Sequence, residues 1–183
     1  MSIIGVTGDF SLKHFIEIHK KLFGDVYFFA GEFRRENIAK GSFRFADYRY
    51  IENEIIKLFK MILKDNIILN NNIDKDMLAE KLAYYSAELN VLHPFREGNG
   101  RSQRLFIGDL AIENGYYLEW NNIPKEEMIQ MSKNDNVKEV AKIFKENLKE
   151  VNQDLKIQNQ LVQKIQARRK SKEQNINKGL TRK

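Results

Sequence analysis

The run His93-Pro94-Phe95-Arg96-Glu97-Gly98-Asn99-Gly100-Arg101-Ser102-Gln103-Arg104 carries most of what this 183-residue chain says about its fold and chemistry. A histidine and an acid four residues apart lead into a glycine-rich turn, which leads into a segment with two arginines three apart. Pro94 cannot continue a helix and disfavours helical φ/ψ at His93, so a helix arriving from upstream ends at the histidine and presents it on a loop. Gly98 and Gly100 let the backbone approach a ligand closely. A helix opening near Asn99 aims free N–H groups and the positive end of its dipole at the same place, an anion site suited to a di- or triphosphate. Arg101 and Arg104 lie on its first turn and lean toward that site. Glu97 is a hard oxygen ligand apt for Mg²⁺. His93, with an ordinary pKa of about 6.5, can be neutral and accept a hydroxyl proton. Phe95 is expected to anchor the loop in the core, and Asn99 to cap the helix or donate to phosphate. A lone His-Pro-Phe commonly ends a helix and a lone Gly-Asn-Gly is commonly a turn. Their union with Glu97, Arg101 and Arg104 in this order points to phosphate-ester chemistry.

Outward from this run the chain reads as helix after helix. Leu12, Phe15, Ile16, His19, Leu22 and Phe23 recur at helical spacing, with Ser11 placed to cap the start and Gly24 to stop the helix. Ile51, Ile55, Leu58, Phe59, Ile62 and Leu63 repeat the stripe. A third helix is predicted from an Asp74 cap to about Leu92, with Leu78, Leu82, Tyr85 and Leu89 on one side. A fourth begins near Asn99, carries Leu105, Phe106, Leu110 and Ile112, and ends at Gly115. Pro124 suits the first turn of a short fifth helix, and Val137, Val140, Ala141, Phe144 and Leu148 mark a sixth.

One segment breaks the pattern. Residues 33–45 alternate along two short arms around Lys40-Gly41-Ser42, which fits a β-hairpin better than a helix. A lone hairpin is marginal in water, so this one must lie against the helices or pair with a partner. His14 and His19 are five apart and do not share a helix face; His19 reads as a satisfied core histidine. Trp120 and Tyr116-Tyr117 read as packing. No internal repeat is present. Beyond about residue 150 the chain turns polar; Leu155, Leu161, Val162 and Ile165 allow one more amphipathic helix, and Lys170 to Lys183 is a basic end.

Length suits one domain with a core of its own. No apolar run reaches the length of a membrane span, and the first residues do not read as a secretory leader, so a cytoplasmic protein is expected, with secretion as an effector left open. The chain has no cysteine, which excludes disulfides and thiolate metal sites. Its net charge of +6 suggests nucleic acid until it is located. Residues 164–183 hold eight Lys or Arg against one acid, leaving 23 basic and 24 acidic residues before them. The basicity belongs to the tail, and the body has no excess that would attract nucleic acid.

The segment 93–104 resembles the Fic-domain signature His-x-Phe-x-(Asp/Glu)-Gly-Asn-Gly-Arg-x-x-Arg and matches it at every specified position. The similarity extends upstream through His19, Leu22-Phe23, Ala30-Gly31-Glu32, Arg35, Asn37-Ile38, Lys40-Gly41 and Phe45, and covers roughly residues 10–150. The resemblance implies an all-α helical bundle with one β-hairpin flap, about residues 33–46, over the active site. It implies a Fic domain over 1–150, followed by a tail over 151–183. The implied activity is Mg²⁺-dependent transfer of AMP from ATP to a hydroxyl of a target protein. In that scheme His93 deprotonates the target Ser, Thr or Tyr, and Glu97 holds Mg²⁺ against the phosphates. Gly98, Asn99 and Gly100 form the anion hole, while Arg101 and Arg104 bind the β- and γ-phosphates. Lys40 and Gly41 are expected beside the nucleotide. Asn37, Ile38, Lys40, Phe43 and Phe45 are expected to hold the target by strand addition.

Two departures refine the resemblance. The phosphate-transferring Doc branch usually carries Lys where this chain has Gly100, which favours nucleotidyl transfer. Many relatives silence themselves with a (Ser/Thr)-x-x-x-Glu-(Gly/Asn) helix whose Glu pairs with the second motif arginine. No Ser or Thr of these 183 residues starts that pattern. Inhibition is therefore expected either from a separate small antitoxin that supplies the Glu, as in a toxin–antitoxin pair, or not at all. Competing readings are a relative that moves UMP, phosphate or another phosphate-linked group, and a non-catalytic nucleotide-binding module. Intact His93 and Glu97 weigh against the module.

Overall fold

The computed structural model describes residues 8–65, 73–123 and 137–151. Helix α1 spans Leu12–Phe23, and the Ser11 hydroxyl caps it by accepting the His14 N–H at 3.3 Å. Helix α2 spans Tyr48–Lys64 behind an Asp47 cap, and α3 spans Lys75–Leu92 behind an Asp74 cap. Helix α4 runs Asn99–Glu113 and α5 runs Val137–Asn147. These ends follow ordinary capping chemistry, in which an Asp or Ser oxygen satisfies N–H groups that have no carbonyl above them. The helix predicted at Pro124, the amphipathic segment from Leu155 to Ile165 and the basic end lie outside the described residues.

The central element is α3, which packs against α2, α4 and α5. Leu78, Leu82, Tyr85 and Leu89 are all buried, as their spacing predicts. Phe106 of α4 is the hub of an aromatic cluster, with the rings of Phe10, His14, Phe15 and Phe59 centred 5.3–6.1 Å from its own. Such tilted and edge-on contacts add to the burial of large apolar surface. Asp65 at the end of α2 accepts hydrogen bonds from Lys81 at 2.6 Å and from the Tyr85 hydroxyl, which ties α2 to α3.

Two details depart from the helical stripes. Leu63 is half exposed, while Ile62 beside it is fully buried. Leu148 is buried, but it opens a strand and does not end the helix. That strand, β4 (Leu148–Glu150), pairs antiparallel with β3 (Tyr116–Leu118), in register Tyr116↔Glu150 and Leu118↔Leu148. The mainly helical bundle thus carries a second ribbon besides the predicted hairpin. Trp120 follows in a 3₁₀ turn and meets the Phe144 ring edge-on at 5.6 Å, a packing role.

Within α4, Asp109 is only 9% exposed and its Oδ2 has no hydrogen-bond partner among the described residues. Burial raises its pKa from 3.8 to about 7. The folded state therefore holds this proton more tightly than the unfolded chain does, and stability falls as pH rises from about 4 to 7. Asp109→Asn is expected to raise the melting temperature progressively over that range, by on the order of 2–4 kcal/mol of stability at pH 8 and little at pH 4. Thermal unfolding of both proteins across pH checks this; a pH-independent difference would contradict it.

Candidate active site

His93 closes α3 in the left-handed region, φ 43° and ψ 61°, with its N–H still bonded to the Leu89 carbonyl at 3.0 Å. A non-glycine residue there is costly and persists where its surroundings enforce it. Pro94 stops the helix, and Phe95 beyond it is fully buried, forming an isolated bridge with Phe33. Nδ1 of His93 is buried without a hydrogen-bond partner among the described residues, which leaves Nε2 as the nitrogen available to a reacting hydroxyl. The ring is held neutral. Burial lowers its pKa from 6.5 to about 4; the Asn90 backbone opposes this, and the Arg34 and Lys40 charges add to the lowering.

The predicted hairpin is present, with shorter arms than the alternation suggested. Strand β1 (Ala39–Lys40) pairs with β2 (Phe43–Arg44), in register Ala39↔Arg44 and Lys40↔Phe43, around Gly41-Ser42. Gly41 takes φ +60°, the left-handed conformation that a tight two-residue turn demands. The hairpin lies against the helices at its base, where the Ala46 N–H donates to the Val91 carbonyl at 2.9 Å. Phe45 stacks on the His93 ring, centroids 3.8 Å apart, and Phe43 meets Phe45 edge-on at 5.3 Å. Ile38 accepts the Phe45 N–H through its carbonyl at 3.3 Å. Lys40 and Gly41 are exposed at the tip, and the Lys40 charge reaches His93.

Asn37 braces the root of the hairpin. Its Oδ1 accepts the Tyr48 N–H at 3.0 Å and its Nδ2 faces Asp47 Oδ2 at 3.4 Å. The side chain thus joins the root of the hairpin to the start of α2.

Downstream of Phe95 the loop turns into α4 through Gly98, at φ +83°. A Cβ on Gly98 would sit 2.4 Å from the Phe23 ring, so both the backbone and the space demand glycine here. Gly100 differs, since a Cβ there would meet nothing within 4 Å. The Asn99 and Gly100 N–H groups take no acceptor among the described residues, while Arg101 and Ser102 N–H both turn back to the Gly98 carbonyl. Asn99 needs a correction. Its side chain is buried, accepting the Phe95 N–H at 2.8 Å and donating to the Phe95 carbonyl at 2.6 Å. The side chain does not cap α4, whose N-cap is Gly98; the Asn99 backbone N–H remains without an acceptor among the described residues.

Arg101 lies over the Phe23 ring at 4.4 Å, a cation–π contact that steadies it at the helix start. Arg104 is partly exposed and makes no ion pair among the described residues. Glu97 is exposed, also without an ion pair there, while its neighbour Arg96 is engaged with Glu36 at 3.2 Å. A free carboxylate beside an open helix start fits a hard cation held against phosphate.

His19 fixes the Glu97 backbone. Its Nδ1 accepts the Gly31 N–H at 2.8 Å, which leaves the proton on Nε2 to donate to the Glu97 carbonyl at 2.8 Å. The fully buried ring also stacks on Phe95 at 3.8 Å. It is a satisfied core histidine, as its place on the stripe suggested. Its two partners could not be read from spacing, because both are backbone groups on distant loops. No cluster of three metal-ligating side chains is present among the described residues, and no helix there is long and apolar enough to cross a membrane.

A helical bundle whose strained histidine sits under a β-hairpin and beside a glycine-opened helix start defines a class of protein. The model of the Fic/DOC family matches residues 9–110, and the chain belongs to that family. It is 41% identical over 127 residues to the protein adenylyltransferase VbhT of Bartonella schoenbuchensis, a stretch covering 69% of this chain and 26% of VbhT. It is 39% identical over 115 residues to Fic of Escherichia coli, described as a probable protein adenylyltransferase, covering 63% of this chain and 56% of that one. The chain thus spans about a quarter and about half of these two relatives. Among solved structures, the N-terminal Fic domain of a VirB-translocated Bep effector from Bartonella quintana superposes with a TM-score of 0.69 at 24% identity, covering 85% of this chain and 78% of that one. BepC of Bartonella tribocorum with bound AMPPNP gives 0.68 at 23% identity, covering 80% and 78%. At these identities the two structures speak for the fold.

Proposed function

We propose that this protein is an adenylyltransferase that moves AMP from ATP to a hydroxyl side chain of a target protein. The observation that carries the reading is the placement of a neutral, strained His93 between the Phe45 flap and the open N–H groups of α4. The names of VbhT and of E. coli Fic support it. In the step derived from these residues, Nε2 of His93 takes the proton of the target hydroxyl as its oxygen attacks the α-phosphorus. The bond from that phosphorus to the β-phosphate oxygen breaks, and pyrophosphate leaves. The Asn99 and Gly100 N–H groups and the helix dipole receive the negative charge, and Arg101 and Arg104, three residues apart on the first two turns of α4, would hold the departing phosphates. Glu97 would hold Mg²⁺, which when bound neutralises phosphate charge. The exposed edge of the short hairpin would take an extended target segment by strand addition, which orients the hydroxyl in line.

The test is incubation with α-labelled ATP, Mg²⁺ and cell lysate, followed by identification of the labelled protein and residue. AMP on a Ser, Thr or Tyr supports the reading; label on no protein opposes it. Glu97→Ala is expected to lower the rate by about 10²-fold or more, with a steeper requirement for Mg²⁺ in the remainder. Activity indifferent to both this change and EDTA would remove Glu97 from the mechanism. Ile38→Pro, at the start of the hairpin, is expected to cut target labelling at least tenfold and leave nucleotide affinity within about threefold. Equal losses in both would place the hairpin with the nucleotide pocket.

Control would fall on Arg104, which has no carboxylate partner among the described residues. A small antitoxin presenting a glutamate to it would withhold the γ-phosphate site, so the protein would act as the toxin of such a pair in the cytoplasm.

A further inference from the structure

Arg34 is 4% exposed, and its guanidinium forms no ion pair within 4 Å among the described residues, although the Asp47 and Glu36 charges act on it from farther away. It is instead spread over four backbone carbonyls. Nε donates to His93 at 2.8 Å, one terminal nitrogen to Glu36 at 2.6 Å, and the other to Ala46 and to Leu92, the latter at 3.2 Å. Its own N–H donates to the Pro94 carbonyl at 2.8 Å. Glu36 and Ala46 are the two roots of the hairpin; Leu92, His93 and Pro94 are the end of α3 and the candidate base. One planar fork therefore joins both legs of the flap to the backbone that holds the base in its left-handed conformation.

We infer that Arg34 is the positioning residue that makes the flap and His93 one rigid unit, so that a segment paired to the flap is delivered in register with the Nε2 that takes its proton. Three features agree. A buried charge without a bonded carboxylate is expensive unless its donors are used, and four of the five guanidinium N–H groups donate to backbone carbonyls. Phe45 stacked on His93 completes the unit from the side-chain face. Lysine could not substitute, because a tetrahedral ammonium cannot reach carbonyls arranged around a plane. The inference rests on the proposed transfer, since it assigns the delivery of the hydroxyl to that same base.

The test is Arg34→Lys in the full chain, with AMPPNP as the nucleotide probe. Transfer from α-labelled ATP to lysate protein, counted per molecule competent to bind AMPPNP, is expected to fall about 10²-fold, while the AMPPNP Kd stays within about threefold. A purely structural role would lower the melting temperature and leave the rate per competent molecule unchanged, and that result would overturn the inference. Should the variant fail to fold, amide exchange of the unaltered protein decides. The Phe45, Ala46, Arg34 and His93 N–H groups are expected to exchange with one common opening free energy. Flap amides that open independently of His93 would overturn it. If the unaltered protein transfers no AMP, the proposed function fails while the exchange measurement still reads the clamp.

Discussion

Replacing His93 with alanine is expected to reduce AMP transfer by about 10²–10⁴-fold, the usual worth of a general base. The AMPPNP affinity should change little, because the groups proposed for the phosphates lie on α4 and its preceding loop. The same residue sets the pH dependence. A neutral imidazole is required, and burial with the nearby Arg34 and Lys40 charges lowers its pKa to about 4. Protonation therefore sets in well below the range of an ordinary histidine, and kcat/KM should stay nearly level from pH 8 down to about 6 and fall only toward pH 4. The stability consequence has the same sign. The unfolded chain takes up this proton first, so stability falls as pH drops from about 6.5 to 4. Labelling by His93→Ala at a near wild-type rate would remove this residue from the chemistry.

Gly98→Ala is expected to be strongly damaging. The new Cβ would lie 2.4–2.9 Å from three atoms of the Phe23 ring, in a residue held at φ +83°. Left-handed strain costs about 1–2 kcal/mol and overpacking a further 1–3 kcal/mol. Phe23 is itself buried in contact with His19 and carries Arg101 on its face, so it cannot swing away without disturbing the site. The expected result is a melting temperature lower by about 5–15 °C. Transfer should be lost beyond what the unfolded fraction explains. A melting temperature within two degrees or so of the unaltered protein would show that the α1–α4 junction yields more easily than its geometry indicates. Gly100→Ala, where a methyl meets open space, is the matched control.

These two glycines show how far the sequence could be read. The motif announced an anion-binding helix start, and α4 does begin at Asn99. Yet the spacing assigned one reason to both glycines, whereas Gly98 answers to Phe23 and to its backbone angle, and Gly100 to open space. Helices α1, α2 and α3 were legible because capping and 3.6-residue periodicity are local properties, written in Ser11, Asp74 and the apolar stripes. The β3–β4 ribbon was not legible: its strands have three residues each, and Tyr116 finds Glu150 across more than thirty residues of chain. Amide and guanidinium partners were equally hidden. Asn99 bonds Phe95, Asn37 bonds the start of α2, and Arg34 bonds carbonyls on two remote segments, all backbone groups that no residue type advertises. Arg34 stood beside Arg35 in an alternating arm with nothing to mark which of the two is buried.

The most direct measurement is transfer from ATP labelled separately at the α- and γ-phosphorus, using one preparation of the purified protein with lysate and Mg²⁺. Attack at the α-phosphorus, with pyrophosphate leaving, predicts protein label from α-labelled ATP, none from γ-labelled ATP, and loss of that label with His93→Ala. Label carried from the γ-position would mean that phosphate, not AMP, is moved and would contradict the proposed reaction.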